Sequence, residues 1–169
     1  MQLNSSIHIM DKANRIVKAT GSREPEPISD HLGIIIMPVD FTKQKGVYKE
    51  IERNRFIFIK KDLCPEMHRI VLLPENGHAV LHRKEAKLFS DLNVFGVKND
   101  RMEYEANCFA AEVALPDDEV LNYIQEGFNA EEIAKAMNTD INLVAMKAAN
   151  LNRKGYSFHL QDSRSDFLK

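Results

Sequence analysis

The hydrophobic period of this chain changes at Lys61, and that change limits what it can fold into. Before it, apolar residues gather in short β-branched runs, Gly33-Ile34-Ile35-Ile36-Met37 and Arg55-Phe56-Ile57-Phe58-Ile59, with Gly46-Val47-Tyr48 as a shorter third. After it, they recur at three- and four-residue steps almost to the end. Strands followed by helices predict an α+β protein with a small curved sheet of three strands. One helix precedes the sheet, because Ile7, Met10, Ala13, Ile16 and Val17 share a face. Gly21 to Pro27 ends it, since two prolines two apart cannot continue a helix.

The helical half begins with a helix centred on Glu75 to Lys87, followed by a second from about Arg101 to Leu115 that stops at Pro116. Asp117 to Gln125 forms a third, closed by Gly127. Asn129 with Glu132 reads as a capping box opening a short helix to Met137, and Asn138-Thr139-Asp140 turns the chain into Ile141 to Leu151. A strand or tail is expected around Tyr156-Ser157-Phe158. These elements divide into a core over 1–116, a helical subdomain over 117–160 that completes the same fold unit, and a mobile tail over 161–169.

Composition excludes several function classes. A formal net charge of −2 gives no global attraction to nucleic acid or anionic membrane. The longest apolar run, Leu32 to Val39, falls short of the ~18 to 20 residues of a membrane span. Two cysteines, Cys64 and Cys108, make no disulfide framework, and no signal-peptide pattern opens the chain. A cytoplasmic protein is expected, with no membrane association.

The chemistry concentrates in Pro74-Glu75-Asn76-Gly77-His78-Ala79-Val80-Leu81-His82, after the apolar stretch Arg69 to Leu73. In a zincin helix two histidines four apart hold the metal, and the glutamate after the first is the general base. Here Glu75 and His78 occupy the glutamate and second-histidine places. Pro74 stands at the first-histidine place and has no metal-binding side chain. Inside a helix proline also removes a hydrogen bond, so the helix is expected to start or kink at Pro74, with Leu73 extended and Glu75 in the first turn. Glu75, His78 and His82 form a stripe at i, i+3 and i+7 that is either a rearranged metal site or a polar seam. Glu105 lies at the edge of the apolar face of Met102, Ala106, Phe109, Ala110 and Val113, where spacing alone makes it a ligand or an ordinary rim carboxylate.

Other signals are weaker. Ala130 to Met137 and Ile141 to Leu151 have helix-turn-helix proportions, with Asn142, Lys147, Asn150, Asn152, Arg153 and Lys154 as possible DNA donors. Glu131, Glu132 and Asp140 oppose them, so packing or partner docking is the preferred reading and direct DNA binding is not expected. Cys108 reads as a core thiol, His68 as a surface residue, and Lys60-Lys61 and Arg83-Lys84 as solvated faces.

From about Leu32 to Tyr156 the chain resembles the ImmA/IrrE family of metallopeptidases. The resemblance rests on the strand pattern, the apolar approach to Pro74–His82, and Glu105-Ala106-Asn107-Cys108-Phe109-Ala110-Ala111, similar to the family's Glu-Ala-Asn-x-Phe-Ala-Ala segment. It implies a zincin-like active-site helix packed on the sheet and a zinc endopeptidase that cleaves a helix-turn-helix repressor. It also implies Glu75 as general base, with His78 and Glu105 as zinc ligands and His82 a ligand only in a rearranged site. Two protein ligands are one fewer than a catalytic zinc normally uses. Zinc is therefore expected to be weak or absent here and the active site degenerate. The alternative is a pseudopeptidase that holds a repressor or other regulatory partner without cutting it.

Overall fold

The computed structural model describes residues 2–85 and 100–157. Helix α1 (Gln2–Thr20) buries Ile9, Met10 and Ala13, and Gly21 closes it in the left-handed region with its N–H on the Val17 carbonyl. A short helix, α2 (Pro25–His31), follows where no helix is expected. Pro25 and Pro27 sit in its first turn, where backbone amides have no helical acceptor and proline costs little. The same two residues that cannot continue α1 can begin α2.

Strands β1 (Ile34–Val39), β2 (Gly46–Ile51) and β3 (Asn54–Lys60) form one sheet in the order β1-β3-β2. β1 runs parallel to β3, with Ile34 opposite Arg55, and β2 antiparallel to it, with Tyr48 opposite Ile57. Pro38 is tolerated because β1 is an edge strand. Ile34, Tyr48, Ile57 and Ile59 alternate onto one face and pack on Val71, Leu72 and Ala79 of the next helix.

That helix, α3 (Pro65–Leu81), corrects the expectation at Pro74. It starts nine residues earlier, at Pro65, and runs unbroken through Pro74, so Leu73 is helical and Glu75 lies in its third turn. Ile70 to Ala79 are all buried. A helix enclosed on every side draws its stability from packing, which here outweighs the roughly 3 kcal/mol cost of an interior proline. The helix ends at Leu81 with His82 as its C-cap, short of the expected Lys87, which itself lies outside the described residues, as do Phe158 and the 161–169 tail.

Helices α4 (Asp100–Ala114), α5 (Asp117–Gln125), α6 (Ala130–Ala136) and α7 (Ile141–Arg153) follow the predicted pattern closely. Asn129 and Glu132 make both bonds of the capping box, and Gly127 takes φ 87° after α5. One core runs through Leu73 of α3, Phe109 and Val113 of α4, Val120 of α5, Ile133 of α6, and Leu143 and Leu151 of α7.

A buried charge network crosses this core. Glu112 of α4, 1 % exposed, accepts from Lys147 Nζ at 2.8 Å and Lys154 Nζ at 2.6 Å, and from Asn14 of α1 at 3.2 Å. Both lysines also bond Asp117 at the start of α5. Lys147 and Asn150, considered as DNA donors, therefore face inward. Arg153 turns back to the Tyr104 hydroxyl at 2.6 Å. Cys108 is buried as expected, and burial pushes its thiol pKa up. His68 is half-buried against Glu26.

Candidate active site

Helices α3 and α4 cross at Gly77. A Cβ there would lie 3.0 Å from the Ala106 carbonyl oxygen and 3.2 Å from Phe109, so glycine is what lets the two backbones approach. Asn76 beside it is fully buried, accepting from the Ser29 hydroxyl at 2.9 Å and donating to the Pro25 carbonyl at 3.1 Å. These two weak helix formers thus serve tertiary contacts, Asn76 holding α2 and Gly77 admitting α4.

Glu75 is 4 % exposed and lies under the start of β2. Its Oε2 accepts the Tyr48 backbone N–H at 2.7 Å, from the β2 edge that β3 leaves open. Gly46 makes room for it, because a Cβ there would meet Val71 at 2.6 Å and the Glu75 Cγ at 3.3 Å. Sheet and helix together fix the candidate base.

His78 and His82, 9 % and 5 % exposed, follow at one and two turns. Their Nδ1 atoms are 3.1 Å apart, and His82 Nε2 lies 2.9 Å from Glu105 Oε2. Arg101 Nε holds the other Glu105 oxygen at 2.9 Å. Burial, opposed by the Glu105 hydrogen bond, leaves the His82 pKa below its ordinary value. Burial alone would raise Glu105, but His82 and Arg101 outweigh it and hold that carboxyl below its usual range.

The carboxylate at His78 Nε2 is that of Glu103, with Oε1 at 3.1 Å. Residues two apart on a helix point about 200° apart. Glu103 and Glu105 thus flank the α3–α4 contact, one reaching each histidine. The spacing does not single out Glu103; only the rotation of α4 against α3 does. The contact is out of hydrogen-bonding alignment, leaving His78 Nε2 a buried polar atom with no hydrogen bond.

These atoms allow a test of fit to a metal. Zinc bonds of about 2.0–2.1 Å in a tetrahedron place two ligand atoms on the order of 3.3 Å apart. The 3.1 Å between His78 Nε2 and Glu103 Oε1 matches such an edge. Pro74, one turn before His78, adds no donor, and among the described residues no group of three His, Cys, Asp or Glu could hold an ion. The donor set fits two of the three protein positions of a catalytic zinc.

Comparison with known proteins agrees with this architecture. The model of the peptidase M78 family, described as an IrrE N-terminal-like domain, matches residues 29–149, which span the sheet, α3 and α4. The chain is 30 % identical over 135 residues to uncharacterized immunity region protein 2 of Bacillus phage phi105, covering 79 % of this chain and 84 % of that one. It is 31 % identical over 133 residues to metallopeptidase ImmA of Bacillus subtilis strain 168, covering 77 % and 78 %. With the sheet, the Glu75–His78 helix and the crossing at Gly77 all inside the matched region, the chain belongs to the ImmA/IrrE-like peptidase M78 family.

Proposed function

We propose that this protein acts in phage-type immunity control by binding a helix-turn-helix repressor, with its peptidase chemistry lost or severely weakened at Pro74. The observation that carries this reading is the place of Pro74, buried inside α3 one turn before His78, where a ligating side chain would have to stand. The immunity-region relative supports the regulatory setting, and ImmA supports descent from a metallopeptidase.

An ion at this site would be held by His78 Nε2 and Glu103 Oε1, with Glu105 acting through His82. When bound, zinc supplies Lewis-acid polarisation of a carbonyl and acidifies a water. The chain's own residues retain the rest of the arrangement. Glu75 is oriented by the Tyr48 amide as a proton acceptor, and the buried walls of α3 and α4 exclude bulk water.

The test is to purify the protein together with any helix-turn-helix repressor encoded next to its gene, then measure complex formation, bound zinc and repressor length. A stable complex, zinc well below one per chain and an intact repressor are expected. Stoichiometric zinc with cleavage that Glu75→Gln abolishes would sink the reading. Pro74→His should raise zinc affinity by restoring the third ligand.

A further inference from the structure

We infer that the outward face of α5 and the turn after it, with Phe128 at the tip, docks the basic DNA-contacting helix of the repressor, so that the repressor cannot hold this protein and its operator at once. The kind of partner rests on the proposed function; the surface and its consequence are new.

α5 turns Val120 into the core, and Glu119, Asn122 and Glu126 follow one another at i, i+3 and i+7 on the opposite, exposed face. That stripe ends at an aromatic pair. Phe128 is 38 % exposed, with its ring 5.2 Å from that of Tyr123. Its backbone is fixed from both sides, because its N–H donates to the Tyr123 carbonyl at 3.0 Å and the next residue, Asn129, opens α6 with both bonds of its capping box. An exposed aromatic on a backbone that binding need not order suits the anchor of a protein interface.

Charge sets the occupant. Lys135 is the only basic residue between Pro116 and Ile141, and Glu131 holds it at 2.7 Å. Among the described residues no cation pairs with Asp118, Glu119 or Glu126. The whole chain is only −2, so this excess is local. Asp118 and Glu119 suit the positive end of α5, but Glu126 stands at its negative end, where a carboxylate opposes the helix dipole. A helix that contacts DNA carries lysine and arginine for the phosphates. Carboxylates around an aromatic anchor take the same side chains, and a helix seated here is shut out of the major groove. Repression is then lifted by occlusion, without a peptide bond being cut.

The experiment titrates the full-length protein into any helix-turn-helix repressor encoded next to its gene, bound to a labelled duplex of its operator. DNA release is read by fluorescence anisotropy, and repressor length is checked on a gel. Release of intact repressor is expected, weakening as salt rises. Glu119→Lys with Glu126→Lys, and separately Phe128→Ala, should each raise the protein concentration needed by about tenfold or more. All three side chains are exposed, so Tm should hold in these variants. Asp62→Lys with Glu66→Lys, the same charge change at the start of α3, should have no effect. A ternary complex of protein, repressor and DNA, or release unaltered by both variants, overturns this surface and leaves the proposed binding in place. No complex with the repressor, on or off DNA, overturns both.

Discussion

Gly77 on α3 and Ala106 on α4 meet backbone to backbone, with only 3.0 Å between the Ala106 oxygen and the place a Gly77 Cβ would occupy. This contact brings His78 and His82 within reach of Glu103 and Glu105. Gly77→Ala gains up to about 1 kcal/mol of helix propensity, but it overpacks a rigid crossing, which typically costs about 1–3 kcal/mol. A net loss of stability is expected in thermal or urea unfolding. An unchanged or higher Tm would show that the crossing can open.

Pro74 is expected to destabilise α3 as it stands. Pro74→Ala restores an amide that can reach the Ile70 carbonyl and relieves the clash with it, so the variant should be more stable by about 1–3 kcal/mol. Urea unfolding midpoints at constant m decide this. No gain would mean that the buried ring contributes packing equal to the bond it forfeits.

Gly46 and the Tyr48 amide seat Glu75. Gly46→Ala places a methyl 2.6 Å from Val71 Cγ1, so β2 or α3 must shift. Faster hydrogen exchange at the Tyr48 amide is expected, with a stability loss of about 1–3 kcal/mol. Retained protection at Tyr48 would show that the strand seats Glu75 without this close approach.

Glu112 joins α1, α4, α5 and α7 through its lysines and amides. Glu112→Gln removes one of the two carboxylates that face Lys147, 1 % exposed, leaves Asp117 as its remaining counter-charge, and should cost about 1–3 kcal/mol. Burial alone would raise the pKa values of Glu112 and Asp117, but Lys147 and Lys154 outweigh it and hold both below their ordinary values. A depressed carboxyl stabilises the fold above its unfolded pKa of about 4 and loses that contribution as pH falls through its folded value. Acid unfolding should therefore be steep below about pH 4 in the native protein and shallower in the variant.

The β2–β3 turn places Glu52 and Arg53 at φ 48° and 67°, a left-handed pair that suits Asn-Gly. Arg53→Gly should raise stability by about 1 kcal/mol, read as an increase in Tm. A decrease would mean that the Arg53 side chain contributes more than its backbone strain costs.

Much of the fold was legible because it depends on local rules. The change of period at Lys61 separates sheet from helices, Asn129 and Glu132 announce α6, and Pro116 stops α4. Misreadings came where a local rule met burial. Pro74 suggests a helix start, yet the buried surface from Ile70 to Ala79 carries α3 through it. Pro25 and Pro27 suggest only the end of a helix, yet Gly21 closes α1 and the prolines suit the first turn of α2.

In the candidate site, the sequence by itself determined which groups are present: Glu75, His78 and His82 on one helical face, carboxylates at 103 and 105, and no donor at 74. That follows from residue identity and the 3.6-residue period. Only the tertiary structure decided who meets whom, bringing Glu103 to His78, Glu105 to His82 and the Tyr48 amide to Glu75. Those pairings depend on how α4 is rotated and how closely it approaches at Gly77, and on where β2 crosses α3. Such distances are set by long-range packing, to which helical spacing is blind.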